Sequence, residues 1–196
     1  MNPFLAPAQQ RDLVLASRSP RRVEILRGLG FEFDVEPAPE HLEHDIAHDE
    51  PYAVPQRLAA RKCEYVSERR PHSLVIGADT VVIVDDRILN KPADDDEARR
   101  FLRLLAGRTH TVVTGLALRA RERGINLEKS ARTFVTFREL SDDEILQYVA
   151  TGEGWDKAGS YAAQGVGAGL VRSIDGCFFN VVGLPVSLLL DMLREV

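Results

Sequence analysis

Hydrophobic and polar positions at the start of the chain follow the periods of a strand, a helix and a second strand. Residues 13–16 form a short apolar run that predicts a buried strand, and a Ser-Arg-Ser-Pro turn follows it. Ser19 is a favourable N-cap and Pro20 a favourable first helical residue, so a helix is expected over residues 21–29. Residues 31–35 alternate apolar and acidic side chains and predict a half-exposed strand.

The middle of the chain predicts a loop, a helix and a long strand. Residues 36–50 contain acidic and proline-flanked turns without an apolar period, which predicts a loop. Residues 52–69 carry an apolar stripe at helical spacing. Residues 74–84 are apolar at both ends and polar only at the centre, so we expect one long bent strand with Asp79 and Thr80 at the bend.

The second half of the chain continues this alternation. The expected elements are a helix from Asp94 to Leu105, a hairpin of residues 109–119 and 133–137, a helix opened by a capping box at Ser141 and ending near residue 150, short strands after a glycine-rich stretch, and a closing helix over residues 184–193. No repeat and no linker rich in proline or serine divides the sequence. We therefore expect a short N-terminal tail, residues 1–11, and one α/β domain over residues 12–196, with room for two lobes.

Composition and charge exclude several classes of protein. The 196 residues are 44% hydrophobic and 28% charged, and 25 basic against 30 acidic residues give a net charge of −5. This acidic balance argues against stable binding of nucleic acid or of an anionic membrane. The sequence has no apolar run near the ~18 residues of a transmembrane helix and no signal-peptide pattern. Cys63 and Cys177 form no zinc-type spacing and no disulfide framework, so a cytoplasmic location is expected.

Two arginines stand at the start of the first predicted helix, where the helix dipole disfavours positive charge. Arg21 and Arg22 lie in its first turn, and Ser17 and Ser19 add hydroxyl groups. Cations are favourable there if an anion such as phosphate binds to the backbone N–H groups and the guanidinium groups together. The alternative is a surface helix start without a ligand. No segment matches the P-loop consensus, which disfavours P-loop kinases and ATPases.

Asp79 and the lysines form a second set of candidates. Asp79 interrupts an apolar run, where an ionised carboxylate is costly unless it is paired or bound to a metal. Only four of the 25 basic residues are lysine, and a compact ammonium group suits phosphate oxygens. Asp79 with Lys91 therefore suggests a site where Mg²⁺ bridges phosphate and protein. The alternative is a structural carboxylate that caps nearby backbone N–H groups.

The predicted loop contains several groups that could bind a metal. His41, Glu43, His44 and His48 lie close together in sequence, but their segment lacks the ordered pattern of a zinc site. Glu43 is the better candidate, because a carboxylate oxygen suits Mg²⁺.

The stretch of residues 154–169 has five glycines, and Tyr161 and Gln164 are its polar members. Such a backbone can approach a flat ligand closely, and the Gln164 amide could pair with the edge of a base. A surface loop without a ligand is an equally good interpretation of this stretch.

These segments occur together in an order that resembles the Maf family of nucleoside triphosphate pyrophosphatases. The matching motifs are Leu-Ala-Ser-Arg-Ser-Pro-Arg-Arg at 15–22, Arg-Leu-Ala-Ala-Arg-Lys at 57–62, Gly-Ala-Asp-Thr at 77–80, Lys-Pro at 91–92, Asp-Lys-Ala-Gly-Ser-Tyr at 156–161 with Gln-Gly at 164–165, and Val-Gly-Leu-Pro at 182–185. The resemblance covers the chain from about residue 13 to its C-terminus. Several independent motifs in one order make a chance match improbable.

The resemblance implies hydrolysis of a nucleoside triphosphate between the α and β phosphates with Mg²⁺ or Mn²⁺. Asp79 matches the family's catalytic carboxylate, which accepts a proton from the attacking water and is a candidate metal ligand. Glu43 matches an upstream acidic residue, a second metal ligand, where the family has an Asp-Glu pair and this chain has His41-Leu42-Glu43. The residues expected to bind the triphosphate are Ser17, Arg21, Arg22, Lys62 and Lys91.

Three positions match residues that distinguish branches of the family. Arg21, Thr80 and Gln164 resemble the branch that acts on dTTP and UTP, with modified pyrimidine nucleotides as further candidates. Relatives that act on 7-methyl-GTP have Trp, Gln and Glu at these positions. The alternatives are therefore a 7-methyl-GTP pyrophosphatase, or a nucleotide-binding regulator of septum formation without turnover.

The resemblance also implies a fold and an assembly. The expected fold is an elongated α/β structure like that of inosine triphosphatases, with a twisted mixed sheet flanked by helices and two lobes around a central cleft. The expected assembly is a homodimer.

Overall fold

The structure is a computed structural model that describes residues 2–43 and 50–196, except the side chain of Glu43. Within these ranges the sheet has seven strands: β1 Leu13–Leu15, β2 Phe33–Val35, β3 Leu74–Val84, β4 Arg87–Leu89, β5 Thr109–Ala120, β6 Ile125–Phe137 and β7 Val171–Asp175. The strand order is β2-β1-β3-β5-β6-β7, and β4 pairs with β3 beside this path. β1 is parallel to β2 and β3, whereas β4 is antiparallel to β3 and β7 to β6, so the predicted mixed sheet is confirmed.

Helices flank this sheet, and local sequence signals fix their starts. The α-helices are α1 Pro20–Gly28, α2 Val54–Ser67, α3 Asp95–Leu105, α4 Asp142–Ala150, α5 Phe178–Val182 and α6 Val186–Arg194. The Asp94 side chain accepts a hydrogen bond from the Glu97 N–H at 2.7 Å, and Ser141 with Glu144 forms the capping box of α4. None of the helices in the described ranges is both long and apolar enough to cross a membrane.

The described chain folds into two compact units. The first comprises the residues up to Asp79 together with 114–131 and 183–196, and the second comprises 80–113 and 132–182. The strands β3, β5 and β6 each begin in one unit and end in the other, so both units use the same strands. In β3 the boundary falls between Asp79 and Thr80.

The first unit is built on the two faces of β1 and β3. On one face Leu15 and Ile76 pack with Leu26 of α1 in a fully buried cluster. On the other face Val14 packs with Ala59 of α2. Successive residues of a strand point to opposite faces, so these short apolar runs are buried on both sides. This arrangement places α1 and α2, which carry candidate site residues, directly on β1 and β3.

The second unit has a separate core. Val82 of β3, Leu102 of α3, Phe137 of β6 and Ile145 of α4 are buried in one cluster. The apolar stripes of α3 and α4 supply its helical side, which is the arrangement that their amphipathic sequences predict.

The predicted N-terminal tail is packed. Leu5 is buried in the first core, and Asn2 Nδ2 donates a hydrogen bond to the Leu29 backbone oxygen at 2.9 Å. A short 3-10 helix, Pro7–Gln10, leads from this contact to β1. A second long-range hydrogen bond joins Gln9 Nε2 to the Arg194 backbone oxygen at 3.2 Å. One buried leucine and two long-range hydrogen bonds are too sparse a pattern to predict from the sequence.

Most predicted strands and helices are confirmed. The short strands expected after the glycine-rich stretch are one strand, β7, followed by the unpredicted helix α5, and two other strands differ from expectation. β4 was not predicted, because its three residues include only two apolar side chains. β6 begins at Ile125, earlier than the predicted start at residue 133. Its first half alternates partly buried and exposed residues, so the polar side chains that suggested a connection belong to the outer face of a strand.

Candidate functional site

Arg22 is fixed at the start of α1 by buried hydrogen bonds. Its Nη1 donates to Ser17 Oγ at 2.9 Å, and its Nε donates to the Gly183 backbone oxygen at 2.8 Å. The Ser19 N–H also donates to Ser17 Oγ, at 3.2 Å. Arg22 is only 8% exposed, whereas Arg21 beside it is partly exposed. The first turn of α1 therefore carries two cations, and the guanidinium of Arg22 is held in one place.

Lys62 and Asp79 form a buried ion pair. Lys62 Nζ lies 2.6 Å from Asp79 Oδ1, and the two side chains are 9% and 12% exposed. Taking either charge out of water alone is costly, so each group compensates the other. The family resemblance assigned Lys62 to phosphate and Asp79 to catalysis separately, and the structure brings them into direct contact.

The close approach of α2 to β3 makes this ion pair possible. A Cβ atom on Gly77 would lie 2.3 Å from the Ala59 backbone oxygen, so only glycine fits here without displacing the helix. Next to Lys62, Cys63 Sγ donates to the Val75 backbone oxygen at 3.1 Å. Burial raises the pKa of Cys63 to about 12, so this thiol is protonated near neutral pH and serves packing.

The second unit carries the remaining predicted site residues. Thr80 is partly buried on β3, and Lys91 is exposed just after β4. Gln164 is exposed at the N-cap of a 3-10 helix, Gly165–Leu170.

Tyr161 has a different place from the one that its glycine-rich surroundings suggested. Its hydroxyl lies 2.8 Å from His110 Nε2, and its ring meets those of His110 and Phe137 edge to face. Burial lowers the pKa of His110 to about 4 and raises the pKa of Tyr161. Tyr161 is therefore a core residue of the second unit.

Sequence reasoning missed Tyr148 and Glu153, which contact the backbone on both sides of Gln164. Glu153 accepts hydrogen bonds from the N–H groups of Val166 and Gly167, and Tyr148 accepts one from the N–H of Ala162. The sequence signal that could have identified Glu153 is its position between two glycines, which have no side chains with which a carboxylate could pair.

The described residues do not form a multi-ligand metal site on their own. Within them, no group of three or more His, Cys, Asp or Glu side chains could hold a metal ion. Asp79 is buried and could donate one carboxylate, with phosphate oxygens and water as the other ligands, which is how proteins commonly bind Mg²⁺. His44, His48 and the side chain of Glu43 lie outside the described residues.

Comparisons with known proteins agree with the motifs. The family model for Maf-like proteins matches residues 12–196. The dTTP/UTP pyrophosphatase of Symbiobacterium thermophilum is 47% identical over 186 residues, which cover 94% of this chain and 94% of the relative. The dTTP/UTP pyrophosphatase of Syntrophus aciditrophicus is 43% identical over 185 residues, which cover 94% of this chain and 89% of the relative.

Among solved structures, a HAM1 protein from Coxiella burnetii aligns at 17% identity with a TM-score of 0.44, covering 64% of this chain and 72% of that chain. The family assignment rests on the sequence comparisons. Because the family model matches nearly the whole chain and relatives share more than two-fifths of its residues, this chain belongs to the Maf family.

Proposed function

We propose that this chain hydrolyses dTTP and UTP at the bond between the α and β phosphates, giving the nucleoside monophosphate and pyrophosphate. The observation that carries the proposal is the buried ion pair between Lys62 and Asp79, 2.6 Å apart on α2 and β3. A protein that only binds nucleotides has no need of a buried carboxylate beside a phosphate-binding lysine. The relatives named above are dTTP/UTP pyrophosphatases, which supports the same reaction and substrates.

In the proposed mechanism Asp79 orients the attacking water and accepts its proton. The water oxygen forms a bond to the α phosphorus while the bond to the bridging oxygen breaks, and pyrophosphate leaves with that oxygen. Because Lys62 contacts the same carboxylate, a triphosphate that binds next to Asp79 also meets the ammonium group. Lys62 therefore orients Asp79 before binding and stabilises phosphate charge afterwards.

The other proposed phosphate ligands are Ser17, Arg21, Arg22 and Lys91. Arg22 and Ser17 hold each other in place, so the start of α1 presents N–H groups and positive charge with little rearrangement. Preorganised donors of this kind stabilise the negative charge that develops on the leaving pyrophosphate.

The proposed cofactor is Mg²⁺ or Mn²⁺, held by Asp79 together with Glu43 and the triphosphate oxygens. A bound divalent cation would neutralise phosphate charge and polarise the phosphoryl group. Because the described residues contain no group of three or more candidate ligands, the proposed metal arrives with the nucleotide and is held largely by phosphate oxygens.

Base selection is assigned to Arg21, Thr80 and Gln164. A glutamine amide can donate to and accept from the imide edge of uracil or thymine, which presents both a carbonyl and an N–H group. The proposed setting is the cytoplasm, where the two free cysteines stay reduced, and the proposed assembly is a homodimer.

The first experiment measures pyrophosphate release from dTTP, UTP, CTP, dATP, GTP and 7-methyl-GTP with Mg²⁺, each repeated with EDTA. We expect turnover of dTTP and UTP that EDTA abolishes. Preference for 7-methyl-GTP would contradict the assignment of Arg21, Thr80 and Gln164. Nucleotide binding without any turnover would contradict the enzyme and favour a regulator of septum formation.

The catalytic carboxylate is tested by Asp79→Asn, with Asp143→Asn as a matched control at an exposed position on α4. We expect Asp79→Asn to lower kcat by about 10²–10⁴-fold, because the proton acceptor is lost, and the control to behave as wild type. Unchanged turnover in Asp79→Asn would show that the carboxylate is not the proton acceptor.

A further inference from the structure

We propose that Glu153 and Tyr148 are positioning residues that hold Gln164 in place for base recognition. This inference rests on the proposed function and deepens it, because it names the groups that set the specificity of the same site. All the contacts that carry it lie within the second unit.

The carboxylate of Glu153 lies against the backbone just after Gln164. Its Oε1 accepts a hydrogen bond from the Val166 N–H at 3.0 Å, and its Oε2 accepts one from the Gly167 N–H at 2.7 Å. These are N–H groups at the start of the 3-10 helix whose N-cap is Gln164. Glu153 caps this helix in place of the N-cap side chain, and the Gln164 amide makes no capping hydrogen bond.

The hydroxyl of Tyr148 extends the same contact to the backbone before Gln164. It donates to Glu153 Oε2 at 3.0 Å and accepts from the Ala162 N–H at 3.1 Å. Burial raises the pKa of Tyr148, so the hydroxyl keeps its proton and remains a donor over the physiological range. Three backbone N–H groups, one before Gln164 and two after it, therefore donate to Tyr148 or Glu153. These two side chains are hydrogen-bonded to each other.

Glycines let the backbone lie directly on this carboxylate. A Cβ atom on Gly165 would lie 2.1 Å from Glu153 Oε1, and its φ of 64° also favours glycine. A Cβ atom on Gly167 would lie 2.7 Å from the Tyr148 hydroxyl. At Gly167 the nearest atom to such a Cβ is the Ala162 backbone oxygen, at 2.3 Å. These two glycines therefore allow the backbone around Gln164 to pack closely against Glu153, Tyr148 and Ala162.

The lysine of this segment supports the same arrangement. Lys157 Nζ donates to the Glu153 backbone oxygen and to Asp156 Oδ1, each at 2.5 Å. Glu153 is therefore anchored by its main chain as well as by its carboxylate. A group fixed in this way can set the position of a neighbouring backbone to a fraction of an ångström, which is the accuracy that base recognition requires.

The test compares Glu153→Gln and Tyr148→Phe with wild type in steady-state kinetics. The substrate is UTP, and the preference for UTP over CTP is measured as the ratio of the inhibition constant of CTP to KM for UTP. Inorganic tripolyphosphate serves as a competitive inhibitor without a base. We expect KM for UTP to rise about 5–20-fold, the preference for UTP over CTP to fall by a similar factor, and kcat to change less than about 3-fold. The inhibition constant of tripolyphosphate should stay the same, because the phosphate ligands are untouched.

Glu144→Gln is the matched control. It removes the same charge from the first turn of α4, where Glu144 accepts from the Ser141 N–H at 2.8 Å and pairs with Arg138 at 2.8 Å. We expect it to lower stability without changing the preference for UTP over CTP. Amide hydrogen exchange of residues 162–167 should accelerate in Glu153→Gln and in Tyr148→Phe but not in Glu144→Gln. Residues 169 and 170 are left out, because Arg138, the partner of Glu144, donates to their backbone oxygens.

The outcomes separate this inference from the proposed function. A wild-type protein without turnover of UTP overturns the proposed function and this inference with it. An active wild type with unchanged preference in Glu153→Gln and Tyr148→Phe overturns the inference alone. A rise in KM for UTP matched by an equal rise in the inhibition constant of tripolyphosphate also overturns it, since the effect would then be a general loss of structure. If Glu153→Gln fails to fold, Tyr148→Phe, which keeps the carboxylate, decides the question.

Discussion

At the residue scale, the ion pair of Lys62 and Asp79 contributes to the stability of the fold as well as to the proposed active site. Each side chain is almost fully buried and their charged atoms lie 2.6 Å apart. Removing one partner leaves an uncompensated buried charge, which typically costs about 3–5 kcal/mol, whereas removing both costs less. The contact therefore has a thermodynamic signature that does not depend on any assay of activity.

We predict a strong coupling between Lys62→Met and Asp79→Asn in a double-mutant cycle. Each single variant should lower the free energy of unfolding, and the double variant should lower it by about 1–3 kcal/mol less than the sum of the singles. Urea denaturation of the four proteins measures this. Effects that add to within about 0.5 kcal/mol would mean that the two groups do not interact in solution.

His110 gives the protein a pH-dependent stability. Burial lowers the pKa of this imidazole from 6.5 to about 4, so the folded protein holds it neutral while the unfolded chain protonates it at higher pH. Its contribution is fully present above pH 6.5 and is lost as the pH falls toward 4. At pH 5 the loss amounts to about 2 kcal/mol relative to pH 7.

We predict that His110→Gln removes this part of the pH dependence. Urea denaturation at pH 7 and pH 5 should show a drop in the free energy of unfolding that is about 2 kcal/mol smaller in the variant than in wild type. Subtracting the drop of the variant from that of wild type removes the contribution of the carboxylates, which titrate in both proteins. The same drop in both proteins would contradict a buried neutral imidazole.

At the element scale, the distance between α2 and β3 depends on one glycine. Gly77 lies so close to Ala59 of α2 that a methyl group must displace the helix. We predict that Gly77→Ala lowers the free energy of unfolding by about 1–3 kcal/mol, because the core becomes overpacked. It should also lower kcat/KM by about tenfold or more, because α2 carries Lys62 and β3 carries Asp79.

Gly28→Ala is the control for this substitution. Gly28 is exposed at the end of α1, and a Cβ atom there would have no neighbouring atom within 4 Å, so alanine should be neutral or stabilise by up to about 1 kcal/mol. Thermal unfolding and kinetics of both variants test the pair. Wild-type kinetics in Gly77→Ala would show that the site tolerates a shift of α2.

The sequence predicted those elements whose signal is local. The apolar stripe of α2, the caps at Asp94 and Ser141 and the apolar run of β3 all act over a few residues, and each element formed where it was expected. The start of β6 was misplaced because an exposed strand face has the composition of a connection. Packing of the N-terminal residues depends on the burial of the Leu5 side chain in the first core and on hydrogen bonds to Leu29 and Arg194, which are distant in sequence.

The candidate site was predictable in its residue types and less so in its contacts. The motifs indicated Asp79, Lys62 and Arg22, but the pairing of Lys62 with Asp79 depends on how close α2 lies to β3. Glu153 was missed because its partners are backbone N–H groups, which every residue except proline carries. A sequence identifies chemical groups more readily than the backbone that they hold.

At the scale of the whole molecule, the two units share their strands. Ile76 of β3 lies in the first core and Val82 of the same strand in the second. In β5, Leu118 belongs to the first core and Val112 to the second. Melting either core therefore releases strands on which the other core is built, and this connectivity favours a single cooperative transition over independent unfolding.

The chain carries a natural probe in each unit to test this. Trp155 is the only tryptophan and lies in the second unit, and Cys63 is buried in the first, where its thiol is protected until that core opens. In a Cys177→Ser background, urea unfolding followed by Trp155 fluorescence and by alkylation of Cys63 should give the same midpoint. Alkylation at lower urea than the change in fluorescence would show that the first unit opens alone. The continuous strands would then not be enough to make the two cores unfold together. Lys62 and Asp79, both in the first unit, would lie in the less stable part of the protein.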